Sequence, residues 1–147
     1  MSALLGQKQY AEYVYDFSVS GGAVGVIALS SLNGKNVIPV DAVVKDVWMK
    51  VLTTCTSGGS ATVEIGNLTD DNGYLTSIAV ASLTAGSTFN AGQQAGALLW
   101  DNTNDAPLYA NVANANDGAV NVKIGTAALT AGKFAVVVEY YSPSVNS

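Results

Sequence analysis

Residues 134–141 read FAVVVEYY and have the two-residue period of a β-strand. The two alternating sets of side chains are Phe134, Val136, Val138 and Tyr140, and Ala135, Val137, Glu139 and Tyr141. Both sets are largely apolar, which is typical of a strand that has neighbours on both sides or is covered on both faces. We therefore predict that residues 134–141 form a central strand.

The same alternation recurs along the chain. The other predicted strands are 13–19, 24–32, 43–54, 61–65, 74–81, 108–113 and 120–124. Turn residues such as Asn33-Gly34, Asn72-Gly73 and Asp117-Gly118 close several of them. About eight short strands, without a stretch of capped helical periodicity, predict an all-β fold: an antiparallel β-sandwich resembling a jelly roll.

A chain of 147 residues fits one domain with a single core. Residues 1–9 contain Leu4 and Leu5 without alternation, so we predict an N-terminal arm at 1–9 that packs against a neighbouring subunit, followed by one sandwich domain at 10–147. The first residues lack the pattern of an export signal, and we expect the chain to be made and used without export. Residues 72–100 carry no charge, but polar residues interrupt them too often for a membrane span, and no membrane partner is expected.

The composition argues against catalysis. The chain has no histidine and no arginine, and Cys55 is its single cysteine, so Ser-His and Cys-His nucleophile pairs are excluded. We predict that Cys55 is a small buried strand residue and that the protein is not an enzyme and has no cofactor. The net charge is −5 and the six lysines are scattered, which disfavours a nucleic-acid partner. Only 12% of the residues are charged, against about 25% in average domains, and burial in an assembly would keep such a protein soluble.

Carboxylates are the remaining candidates for chemistry. Glu12, Glu64 and Glu139 occupy outward strand positions, where solvated carboxylates are expected, and no spacing selects a catalytic pair. Glu64 and Lys123 could form a cross-strand ion pair. Residues 67–73 contain Asp70 and Asp71 and are typical of a hairpin turn; a cation at these two aspartates remains an alternative, although the spacing lacks the full calcium-loop pattern and we predict no metal.

The segment 82–107 is the least regular part of the chain. It carries Phe89, Leu98, Leu99 and Trp100 among glycine and glutamine, and it is too long for an ordinary hairpin loop. Uncharged segments with aromatic residues are typical of interface centres, so we predict contacts with other subunits at these four residues. The alternative is that they close one end of the core. Trp48, within an apolar strand, is predicted to be a core residue.

Three stretches together resemble a known class of viral protein. They are residues 15–25 (YDFSVSGGAVG), 42–66 (AVVKDVWMKVLTTCTSGGSATVEIG) with 70–75 (DDNGYL), and 128–140 (ALTAGKFAVVVEY). The chain resembles small structural proteins encoded beside the major capsid gene of tailed bacteriophages, including head decoration (cement) proteins. The likeness covers most of residues 15–141 and is weakest over 82–107.

The resemblance implies a role in the virion. Proteins of this class bind as trimers or other rings on the outside of the capsid, so it implies a homo-oligomer, with a trimer favoured, the major capsid protein as partner, and a location on the capsid exterior after synthesis in the bacterial cytoplasm. Low charge and many strands suit a protein that adds buried area across shell subunits. The alternative function is a receptor- or carbohydrate-binding module of a phage fibre, in which exposed aromatic side chains would contact the ligand.

Overall fold

The protein consists of two antiparallel β-sheets packed face to face, with short helical turns between strands. The computed structural model describes residues 7–34 and 37–142, without the side chains of residues 7, 92 and 93. The strands are β1 (Gln7–Asp16), β2 (Gly25–Ala28), β3 (Ser30–Ser31), β4 (Val43–Ser57), β5 (Thr62–Gly66), β6 (Leu75–Ala79), β7 (Thr88–Asn90), β8 (Trp100–Asp101), β9 (Ala106–Pro107), β10 (Ala110–Asn111), β11 (Asn121–Gly125) and β12 (Leu129–Ser142). The one-turn helices are α1 (Phe17–Ser20), α2 (Ala91–Gln94) and α3 (Ala115–Gly118), and Val80–Ser82 form a 3-10 turn.

The larger sheet has the strand order β10-β4-β12-β1-β3, with β7 also paired to β4. The smaller sheet has the order β2-β11-β5-β6, and β8 and β9 form a separate two-stranded ribbon. Each of these pairings is antiparallel. The predicted antiparallel sandwich is confirmed, and the prediction that 134–141 is a central strand is also confirmed, because β12 lies between β4 and β1.

The core lies between the two sheets. Its members on the larger sheet include Tyr13, Tyr15, Val47, Met49, Val51, Phe134, Val136 and Val138, and those on the smaller sheet include Val63, Ile65, Val122 and Ile124. Tyr15 stacks on Phe134 with ring centroids 4.9 Å apart, and its hydroxyl donates to the Gly21 carbonyl at 2.6 Å. The alternating apolar positions of the sequence therefore form the inner faces of the sheets.

The first strand begins and ends earlier than the sequence pattern predicts. Residues 7–9 were predicted as part of the arm, but they pair with Ser142, Tyr141 and Tyr140 because β12 extends far enough to give them a backbone partner. The rest of the predicted arm, with Leu4 and Leu5, lies outside the described residues. The strand ends at Asp16, whose carboxylate accepts hydrogen bonds from the Ser18 N–H and hydroxyl and starts α1.

The prediction that Trp48 is a core residue is wrong. Val47 and Met49 on either side of it are fully buried, so strand alternation turns Trp48 to the opposite face of the larger sheet. There it is half-buried, and its ring lies edge-on to Tyr10 with centroids 6.0 Å apart. A strand that is apolar on both faces gives no sequence signal for which face is the core.

Cys55 is a buried residue of β4, as predicted. Gly132 on β12 lies directly against it, because a Cβ atom on Gly132 would be 2.4 Å from the Cys55 sulfur. Gly132 also has a φ of +137°, a conformation that side-chain-bearing residues rarely adopt. The close approach of β12 to β4 at this point therefore requires glycine.

Candidate interaction surface

The outward face of the larger sheet is unusually apolar for a surface. We call it the outer face and define it by the side chains of β1, β4 and β12 that point away from the core. Its apolar members are Tyr10, Val14, Val43, Trp48, Leu52, Ala135, Val137 and Tyr141, all of them half-buried or exposed. Large contiguous apolar patches on a protein surface mark sites of interaction.

The outward face of the smaller sheet is polar by comparison. Its central strands β5 and β11 direct Thr62, Glu64, Asn121 and Lys123 away from the core. Glu64 and Lys123 lie opposite each other, and their charged groups are 4.0 Å apart, which confirms the predicted cross-strand pair. The two faces of the sandwich therefore differ in chemistry, and the outer face is the better candidate for an interface.

Glu139 lies at the centre of the outer face. Its carboxylate is between two lysines, 3.9 Å from the Lys8 ammonium and 3.7 Å from the Lys45 ammonium. The expectation that Glu139 is solvated is wrong: the residue is 8% exposed, because the neighbouring side chains cover it. Its Oε2 atom has no hydrogen-bond partner in the described structure. A buried acceptor in this position can receive a donor from a docked protein.

Asp46 lies opposite Glu139 on the neighbouring strand. Burial raises the pKa of the Asp46 carboxyl, and the negative charge of Glu139 raises it further, while the Val47 N–H that it accepts at 2.9 Å acts in the other direction. The register shifts between Glu139 and Tyr140, which pairs with Val44, so Lys45 is an extra residue at a bulge. The bulge brings Lys45 and Asp46 together at the rim of the outer face.

Three adjoining hollows surround this bulge. One of about 270 Å³ is lined by Val43, Lys45, Tyr109 and Tyr141. A second of about 270 Å³ is lined by Lys45, Asp46, Ala91, Leu99, Trp100, Pro107 and Tyr109. A third of about 340 Å³ is lined by Asp46, Trp48, Thr88, Phe89 and Asn90. The segment 88–109 thus extends the outer face beyond the edge of β4, and Tyr109 within it is 61% exposed.

The predicted interface residues occupy different positions in this extension. Leu99 is 2% exposed and belongs to the core, which is the alternative considered for it, and Leu98 packs against the core with its side chain over Gly73. Phe89 packs against the core and also lines a hollow, while Trp100 is half-buried at the wall of another. Phe89 and Trp100 therefore retain surface for a partner.

The remaining candidate chemistry is structural. The Asn67 side chain accepts the N–H groups of Thr69 and Asp70 at 2.9 and 2.8 Å, the arrangement of the predicted turn. Asp71 pairs with Lys123 at 3.3 Å. Across residues 7–34 and 37–142, no three acidic or cysteine side chains are grouped so that they could hold a metal ion. No helix in the described part of the chain is long and apolar enough to cross a membrane.

The sequence analysis missed Tyr10, Tyr109 and Tyr141 as surface candidates. The available signal was the apolar second face of residues 134–141, which we interpreted only as evidence of a central strand. A central strand whose second face is apolar, in a sandwich with only two sheets, must present that face outward. Applied to 43–52 as well, the same argument would have identified Trp48.

Chains in three solved phage capsid structures share this fold. A chain of the cyanophage Pam1 capsid asymmetric unit aligns with a TM-score of 0.65 and 19% identity, over 97% of this chain and 90% of that chain. A chain from the acidic stable capsid structure of Helicobacter pylori bacteriophage KHP30 aligns with a TM-score of 0.60 and 17% identity, over 97% and 94%. A chain from the capsid of Ralstonia phage GP4 aligns with a TM-score of 0.56 and 16% identity, over 98% and 90%.

No protein-family model and no curated protein sequence matches the chain. The fold is one found in phage capsids. At these identities the structural likeness establishes the fold, and the function has to be argued from the surface.

Proposed function

We propose that the protein is a virion structural protein that decorates the outside of a phage capsid and stabilises it by bridging shell subunits. The observation that carries the proposal is the apolar outer face, on a sandwich of the fold found in capsid structures. A decoration protein needs no chemistry, only area to bury, and many copies on one shell supply avidity.

The outer face has the composition of an interface. Trp48, Tyr10 and Val137 lie at its centre beside Glu139, and the ion pairs of Lys8, Lys45 and Lys133 surround them. An apolar, aromatic centre with a charged rim is the usual arrangement of a protein–protein contact. The partner proposed for this face is the major capsid protein, with the decoration protein present as a homo-oligomer, a trimer being favoured.

The test uses phage particles from which the gene for this chain has been deleted. Purified protein is added to intact, DNA-filled particles, and bound copies are counted against the shell protein by gel densitometry. Only external sites are accessible in this experiment, so saturable binding in numbers comparable to the shell protein, with DNA release shifted to higher temperature, is the expected result. Absence of binding, or a few copies at the tail, would overturn the proposal.

Two matched variants test whether the outer face makes the contact. Val137→Lys places a charge at the centre of the outer face, and Val26→Lys places one on edge strand β2 of the smaller sheet, where Val26 is 47% exposed. Val137→Lys should weaken binding to particles at least tenfold, and Val26→Lys should leave it unchanged. Thermal melting of both variants by circular dichroism checks that each still folds.

One observation favours a second candidate function, a sugar-binding module of a fibre. Trp100 and Tyr109 line the same hollow as Asp46 and Lys45, which combines aromatic surfaces with charged hydrogen-bonding groups. A glycan array with the isolated protein, followed by Tyr109→Ala for any positive sugar, tests this function. Sugar binding lost in Tyr109→Ala, together with no binding to deleted particles, would favour the fibre module.

A further inference from the structure

A groove at the far end of the outer face has the shape of a receptor for an apolar segment. It has a volume of about 370 Å³ and crosses the sheet from β3 to β4. Its lining is Val14, Asp16, Val19, Ser20, Ser30, Leu32, Leu52 and Lys133. Val19, Leu32 and Leu52 are 77%, 57% and 47% exposed, so three large aliphatic side chains converge there without cover from the described part of their own chain.

The groove lies at one end of β1, and the segment before β1 begins at the other. Val14 on the floor is seven residues from Gln7 along an extended strand, which is roughly 23 Å at about 3.3 Å per residue. Leu4 and Leu5 precede Gln7 by three and two residues, so they can lie at most about 11 Å from it. The two leucines of one chain therefore cannot reach the groove of the same chain.

We propose that Leu4 and Leu5 of one copy bind in the groove of a second copy. The leucine pair is flanked by Ala3 and Gly6, and it is the apolar element closest to the start of β1. A cavity of about 150 Å³ accommodates one benzene molecule, so the groove has room for two leucine side chains. The charged rim, where Lys133 and Asp16 are 4.0 Å apart, leaves the aliphatic floor as the contact for an uncharged segment.

This geometry determines the type of oligomer. The donor segment and the receiving groove lie at opposite ends of β1, so the two partners present different surfaces to each other. Such a heterologous contact forms closed rings or open filaments and does not form a two-fold dimer. A ring of three copies is the smallest closed form beyond a pair. The contact joins copies of this chain and is present whether or not they are bound to a shell.

Disulfide cross-linking of purified protein tests the contact. A Leu5→Cys chain carrying a size tag is mixed at high concentration with an untagged Leu32→Cys chain, both in a Cys55→Ala background, and the mixture is oxidised mildly. A mixed disulfide dimer on a non-reducing gel is expected, because a disulfide needs Cα atoms within about 7 Å. The matched control replaces Leu32→Cys with Leu68→Cys, since Leu68 is 58% exposed and lies in the 67–73 turn.

The yield with Leu32→Cys should exceed the control yield at least tenfold and should fall on dilution. Equal yields with the two acceptor positions would overturn the proposal. A chain carrying both Leu5→Cys and Leu32→Cys should give a ladder that ends at the ring size, while an intrachain bond that persists on dilution would also overturn it.

A second variant separates assembly from folding. Leu4→Asp with Leu5→Asp should shift sedimentation at high concentration from oligomer to monomer and leave the melting temperature of the dilute monomer within a few degrees. If the double variant sediments like the unmodified chain, the leucines are not the contact. Because the measurements use isolated protein, they can fail while binding to particles persists, and the reverse, so the contact and the capsid role are tested separately.

Discussion

Asp46 and Glu139 lie directly opposite each other on β4 and β12, two carboxylates on the same face of one sheet. Glu139 has Lys8 and Lys45 as ion-pair partners, whereas burial and the nearby charge of Glu139 raise the pKa of Asp46. Like charges directly opposite each other destabilise a sheet. The pair therefore stores an unfavourable interaction on the surface that we propose for docking.

The first prediction concerns Asp46→Asn. Because the pKa of Asp46 is raised in the folded state, its contribution to stability is fully present below the unfolded pKa and is lost as pH rises through the folded pKa. Asparagine removes this loss, so Asp46→Asn should be at least as stable as the unmodified protein at pH 7, and the two should converge near pH 3. Urea unfolding at both pH values measures this.

Asp16→Asn is the matched control. Hydrogen bonds from Ser18 lower the pKa of Asp16, so ionised Asp16 contributes stability above the unfolded pKa, and this contribution is lost as pH falls. Asp16→Asn should therefore give no gain at pH 7. A gain in stability for Asp16→Asn, or a loss for Asp46→Asn, would contradict the assignment of the two environments.

The second prediction concerns Gly132→Ala. The new Cβ would contact the Cys55 sulfur and backbone, and the residue would have to keep a φ of +137°. Overpacking together with an unfavourable φ should cost about 2–4 kcal/mol of folding stability. Gly58→Ala, where nothing lies within 4 Å of the added Cβ, should be nearly neutral. Thermal denaturation of the two variants gives the comparison, and equal melting temperatures would mean that β12 and β4 can separate at Gly132 without cost.

Much of the fold could be predicted from the sequence, because alternating apolar residues in 61–65, 120–124 and 134–141 determine which side chains face the core. The outer face could not be predicted in the same way. Trp48 and Tyr10 come from distant parts of the chain, and only the pairing of β4 and β1 with β12 brings them onto one surface. The bulge at Lys45 also changes the phase of β4 partway along, and a period-two pattern cannot show such a shift.

The third prediction is a loss of stability at high pH. Burial raises the pKa of Cys55 from 9.0 to about 11 and the pKa of Tyr74 from 10.0 to about 12. These groups stay protonated more readily in the folded state, so their contribution is fully present below about pH 9 and is lost as pH rises through 11 to 12. Melting temperatures measured from pH 7 to pH 11.5 should fall above pH 9, with a smaller fall in Cys55→Ala. A melting temperature independent of pH over this range would show that these side chains are not buried in solution.

The last prediction separates the core from the interface within residues 99–100. Leu99 is 2% exposed, so Leu99→Ala should cost about 2–5 kcal/mol of folding stability through lost burial and a residual cavity. Trp100 is half-buried and lines a hollow with Lys45 and Tyr109, so Trp100→Ala should destabilise the fold less. If Trp100 is an interface anchor, its loss should weaken binding to particles by about 2 kcal/mol, roughly thirtyfold. Chemical denaturation and the particle-binding assay are run on both variants. Should Trp100→Ala unfold as readily as Leu99→Ala and yet bind normally when folded, Trp100 closes the core and the predicted contact is absent.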